Sequence, residues 1–305
     1  YYQVTESWAT DTTWYWRVIA YDKAGHYNRS GIFVYITDTT PPVLSDPVPE
    51  DGGYLGDVVN ALFQVNLTEQ NINYSINVTV FYRRPGFSYK NTTLYCYGTA
   101  PEYVCNRTVD LSAMFGDGDV IEYFFNTTDL SGLSGELGNA TNPLTATVDL
   151  TFPTNPANVS FIPDPTQYFD NDGILEVKWD PAYDASGIKE YRIYVSENGS
   201  PYTLNGTVPG NETYYNFLGK DAHNYSVKVT AVDNAGNENT SGAFSNTTIT
   251  VDVTCPSKPQ LLAPANGTVS ADLTPLLNWT TVTEENFANY TIEVSTDPSF
   301  SYVNY

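Results

Sequence analysis

At 305 residues and 41% apolar content, the chain is long enough for two to three domains, each burying its own core, and too long for a single small one. Its 35 acidic against 13 basic residues give a net charge of −22, which repels phosphate backbones and anionic membrane faces and argues against nucleic acid as a partner. Twenty-five Tyr, abundant Thr and Val and a single Met favour half-buried pleated surfaces, so an all-β fold is expected. No run approaches the roughly 18 consecutive apolar residues of a spanning helix. The chain opens on Tyr1-Tyr2-Gln3-Val4-Thr5 without an initiator Met and reads as a processed or partial piece of something longer.

Three segments align without a gap: Trp14 to Gly25, Ile121 to Gly132 and Tyr225 to Gly236. In each, alternate positions are apolar, the signature of a strand with one buried face. Each closes on Asp-x-x-Gly, at Asp22, Asp129 and Asp233, where the carboxylate caps a tight turn and the glycine accepts positive φ. A second marker follows each: Asp38-Thr-Thr-Pro41-Pro42, Asp149-Leu-Thr-Phe-Pro153 and Asp252-Val-Thr-Cys-Pro256. Proline ends the strand ladder and stiffens the link, so modules are expected to stand end to end.

These markers divide the chain into residues 1–39, the last strands of a domain; 40–150, a whole domain; 151–253, a second whole domain; and 254–305, the first strands of another. An early strand carries one Trp in two of them, Trp179 and Trp279, whereas the 40–150 segment uses Ala61 to Leu67 there. The end segments look like complementary halves of one module. Either the next stretch of a repeating polymer begins mid-module, or separate subunits complete each other's sandwiches by strand exchange; absent flanking sequence is the plainer alternative.

Trp179, the strand Tyr191-Arg-Ile193-Tyr-Val195-Ser and the run Tyr225-x-Val227-x-Val229-x-Ala231 together resemble a fibronectin type III domain. Pro264-Ala-Asn-Gly267 with Trp279 and Val294-Ser-Thr-Asp-Pro-Ser-Phe300 is similar to such modules in prokaryotic surface proteins. The segment opening at Asp38-Thr-Thr-Pro-Pro resembles bacterial and archaeal Ig-like modules of large exported proteins. The resemblance covers nearly the whole chain and implies tandem β-sandwiches in an extracellular, cell-surface setting, but no ligand.

Eighteen of 28 asparagines sit in Asn-x-Ser/Thr acceptor patterns, about three times the chance expectation, which points to dense N-glycosylation. They are Asn28, Asn66, Asn73, Asn77, Asn91, Asn106, Asn126, Asn139, Asn158, Asn198, Asn205, Asn211, Asn224, Asn239, Asn246, Asn266, Asn278 and Asn289. Strand alternation sends Asn66, Asn126, Asn224 and Asn278 to solvent faces opposite apolar neighbours. With prokaryotic-style modules, this density favours an archaeal source.

Cys96 and Cys105 flank a hairpin tip and are expected to form a disulfide, leaving Cys255 over at a joint. Only His26 and His223 are present, both beside strand ends, and they read as surface turn residues. No helical His pair, nucleophile elbow, phosphate-cradling loop or Cys-x-x-Cys occurs, so no catalytic residues are assigned and an enzyme is not expected. No cofactor or metal site is assigned either. Calcium is the one cation considered, through Asp170-Asn-Asp172-Gly, Asp117-Gly-Asp119 and the joint aspartates Asp38, Asp149 and Asp252, although none spells a complete calcium loop.

The reading is a structural cell-surface protein forming a filament, stalk or surface layer. An adhesin or receptor fragment using exposed aromatics such as Trp8 or Tyr54, and the spacer of a large secreted hydrolase, are the alternatives.

Overall fold

The computed structural model describes residues 3, 5, 7–70, 78–162 and 168–301. Among these, all regular structure is β-strand, and no helix is long and apolar enough to cross a membrane. Tandem sandwiches of the fibronectin type III and Ig-like kind account for it.

In the first sandwich, one sheet runs in the order Tyr95–Thr99, Glu102–Val109, Ala61–Thr68, Val43–Val48. The facing sheet runs Gly53–Leu55, Leu144–Val148, Val120–Thr128, Thr79–Arg83, Lys90–Thr93, with Ser134–Leu137 also pairing on Val120–Thr128. Strict alternation makes the two inner faces: Ala61, Phe63, Val65 and Leu67 are buried from one side and Ile121, Tyr123 and Phe125 from the other. Phe63 meets Tyr82 and Tyr123 at ring separations of 5.6 and 5.8 Å. The Tyr123 hydroxyl donates to the Pro49 carbonyl, so its one polar atom is satisfied within the core.

The second sandwich sets Ala157–Phe161, Ile174–Asp180 and Tyr214–Leu218 against a sheet ordered Phe169–Asp170, Ile249–Val251, Asn224–Asp233, Ile188–Glu197, Thr203–Pro209. Val177, Trp179, Tyr191, Ile193, Tyr225, Val227 and Val229 fill its centre. Trp179 stands edge-on to Tyr191 at 5.4 Å, whose hydroxyl oxygen accepts the Ala182 amide at 2.8 Å. Tyr225 likewise accepts the Lys220 amide at 2.9 Å, pinning the corner that leads into its strand.

The flanking segments form ribbons without a facing sheet. Thr12–Trp16 pairs with Phe33–Thr37 and Ile19–Tyr21 with Tyr27–Arg29. The strand expected to run unbroken from Trp14 is thus split at Arg17 and Val18, where the Ser30 hydroxyl oxygen takes the Val18 amide in place of a ladder partner. Phe33, Val34, Tyr35 and Ile36 lie exposed on this ribbon. At the other end, Leu261–Ala263 pairs with Asn278–Trp279, and Leu261, Val269, Leu273 and Leu276 are exposed.

All three repeated turns take one geometry. The aspartate Oδ1 accepts the amide four residues on, from His26, Leu133 and Asn237 at 2.9 Å each, and Gly25, Gly132 and Gly236 adopt φ of 88°, 88° and 92°.

Candidate functional site

The two sandwiches meet at residues 149–154, where three loops converge. The first is the joint itself, entered from the strand Leu144–Val148. The second is the loop 181–187 after the Trp179 strand, tied to the joint by the Thr154 amide on the Tyr183 carbonyl (2.9 Å) and the Tyr183 amide on Thr154 Oγ1 (2.8 Å). The third is the repeated turn at 233–237, held to that loop by Asn234 Nδ2 donating to the Ser186 carbonyl (2.7 Å).

Two asparagines of the second sandwich then reach back across the joint. Asn237 Nδ2 donates to the Asp149 carbonyl at 2.9 Å and Asn239 Nδ2 to the Pro153 carbonyl at 2.8 Å. From the first sandwich, Gly56 comes so close that a Cβ there would lie 2.4 Å from the Ala235 carbonyl oxygen. Glycine is needed here for the approach of two backbones.

Asp149, Asp184 and Asp233 bring carboxylate oxygens within 4.8 Å of one another, the single such convergence of three ligating side chains among the described residues. They are 7%, 9% and 0% exposed. Each has a local donor set: Asp149 Oδ1 accepts the Thr151 amide and hydroxyl, Asp184 Oδ1 those of Ser186, and Asp233 both oxygens' bonds from Asn237. Burial opposes ionisation of Asp149, but the hydrogen bonds it receives, led by that of Thr151, hold its carboxyl below the ordinary range. Asp149 Oδ2 remains buried with no hydrogen-bond partner. Two carboxylates at this separation repel by about 3.5 kcal/mol at an effective dielectric of about 20.

Residues 156–247 match the family model described as "Fibronectin type III domain". This segment is a fibronectin type III domain. The wider chain is similar to three solved multidomain structures. The FN1–FN3 domains of chicken CNTN1 share 15% identity over 79% of this chain and 77% of that one, with a TM-score of 0.43. Domains A168–A170 of titin share 14% over 78% and 75%, TM-score 0.34. A tetra-tandem repeat from the extending region of a large adhesion protein shares 16% over 83% and 60%, TM-score 0.32. No curated protein matches the chain.

Of the acceptor asparagines, Asn73 and Asn77 lie outside the described residues, and none of the other sixteen is buried. Twelve are exposed; Asn66, Asn106, Asn126 and Asn239 are half-buried. Asn239, in the fibronectin type III domain, differs from the rest because its amide nitrogen is engaged across the joint. Cys96 and Cys105 are direct cross-strand partners and are disulfide-bonded, while Cys255 is free and exposed. His26 is exposed beside Asp22, and half-buried His223 contacts Glu197. Trp8 packs against Trp14 and Tyr35 at 5.6 and 4.9 Å.

The aspartates singled out in sequence separate in space. Asp170 and Asp172 accept the Gly173 and Ile174 amides within their own turn. Asp117 accepts the Leu150 amide, and Asp119 pairs with Arg84. Asp252 Oδ2 accepts from Asn286. Of the joint aspartates, Asp149 alone joins a three-carboxylate group. Its partner Asp184 was not singled out; a sequence signal existed in its place just after the core-Trp strand, a loop that lies at the joint pole of any such sandwich.

Proposed function

We propose that the chain is a stretch of an extracellular structural protein, N-glycosylated at its exposed acceptor asparagines, whose sandwich modules repeat end to end in a filament, stalk or surface layer. The observation that carries this reading is the pair of half-modules flanking two complete sandwiches. Residues 12–37 repeat the late strand and turn of the fibronectin type III domain, and residues 257–295 repeat its early nucleus. Each exposes the apolar face that the other would cover. A second copy of the chain therefore supplies the missing half, burying side chains such as Phe33, Tyr35, Leu261 and Leu276. Dense glycans fit such an array because they coat outward faces and leave the apolar ones for assembly. The reading assigns no catalysis.

Electron microscopy and sedimentation of the full chain test it. Linear particles that lengthen with concentration are expected, and Val34→Lys with Ile36→Lys should abolish them. Monodisperse single chains at every concentration would sink the assembly reading.

A further inference from the structure

We infer that Asp149, Asp184 and Asp233 bind one calcium ion at the joint between the two complete sandwiches. This inference does not rest on the assembly reading, since all three ligands belong to one chain.

Two independent observations support it. First, three carboxylate oxygens converge within 4.8 Å on residues more than nine-tenths buried, and three like charges out of water demand a compensating cation. Second, Asp149 is 93% buried and its Oδ2 has no hydrogen-bond partner, although Oδ1 of the same group has two. An oxygen left over in this way, beside two further carboxylates, is a ligand position. An all-oxygen, carboxylate-rich set selects a hard divalent cation, and a set assembled from three loops accommodates calcium better than magnesium, which demands near-ideal octahedral geometry.

The device repeats by position. At the preceding joint the equivalent residues are Asp38, in the Asp-x-Thr marker, and Asp129, in the repeated turn. Each again carries a buried Oδ2 with no partner. The ion would join elements that belong to different modules: Asp149 ends the first, while Asp184 and Asp233 head the second.

The test is calorimetric titration of calcium chloride into the chelator-treated full chain, with thermal melts alongside. Saturable binding and a calcium-dependent rise in melting temperature are expected, with magnesium chloride at least tenfold weaker. Asp184→Asn and Asp149→Asn should each weaken binding at one equivalent by tenfold or more. Without calcium they should melt no lower than the unsubstituted chain, because they remove repulsion while keeping an acceptor for Ser186 or Thr151. No saturable heat in the unsubstituted chain overturns the inference without need of any variant. An unchanged calcium response in both variants overturns the assignment to these residues.

Discussion

Trp279 stands edge-on to Tyr290, with ring centroids 5.5 Å apart and planes at 66°, and the Tyr290 hydroxyl oxygen accepts the Val282 amide at 2.9 Å. Trp179 and Tyr191 hold the same relation at 5.4 Å and 63°, with the Ala182 amide in the equivalent place. The nucleus of the complete module thus recurs in the C-terminal segment, but Trp179 is 4% exposed and Trp279 only half-buried.

That difference sets a first prediction. Trp179→Ala should destabilise its module by about 3–5 kcal/mol through lost burial and the cavity left behind. Trp279→Ala should cost far less in the monomeric chain and should act mainly on assembly. Denaturant unfolding of both variants, with particle size followed in parallel, compares the two.

A second prediction concerns alkali. Burial raises the phenol of Tyr123 far above its ordinary value, and those of Tyr82 and Tyr191 shift the same way for the same reason. The unfolded chain ionises these groups first, at about pH 10. Their contribution is therefore intact below that pH and is lost as pH rises above it. Tyr123→Phe should cost about 1 kcal/mol at neutral pH by removing the bond to Pro49 and should flatten the alkaline decline, as urea titrations from pH 7 to 11 will show.

The Cys96 to Cys105 bond closes a short loop, with a sequence separation of 9. The chain-entropy relation assigns such a loop about 2–3 kcal/mol. Replacing both by alanine should lower the stability of the first sandwich by that order under oxidising conditions and much less in the presence of reductant, measured by chemical denaturation.

Asn239 should remain largely unmodified while exposed acceptors such as Asn91, Asn211 and Asn266 carry glycans. Its amide nitrogen is committed to the Pro153 carbonyl and its Oδ1 to Ser241. Glycopeptide mass spectrometry of native material reads this directly; full occupancy at Asn239 would show that the joint forms differently.

At the joint, Gly56→Ala cannot be accommodated without displacing the Ala235 backbone. Both modules should keep their own unfolding transitions, while cleavage by an added protease between Asp149 and Thr154 becomes faster.

What the sequence disclosed, and what it hid, follows from the range of the interactions involved. Alternation at Phe63, Val65 and Leu67 and the turn chemistry of Asp233 with Gly236 are local and survive translation into structure almost unchanged. The Cys pair was legible because two residues flanking one hairpin tip have few other partners. The break at Val18 was not, since it depends on a hydroxyl twelve residues away. Asp184 went unseen for the same reason: its neighbourhood with Asp149 is made by loop closure onto Thr154, which no short window contains.

The bond from Asn237 to the Asp149 carbonyl has a mechanical consequence. A two-proline or Phe-Pro link alone would let successive modules swivel, and a long run of them would behave as a jointed rope. With one turn of each module latched onto the outgoing strand of its predecessor, the twist between neighbours is fixed at every step. Bending stiffness and helical pitch over a long array would then be written by a single amide per junction, and changing that residue would alter the curvature of the whole assembly while leaving every module folded.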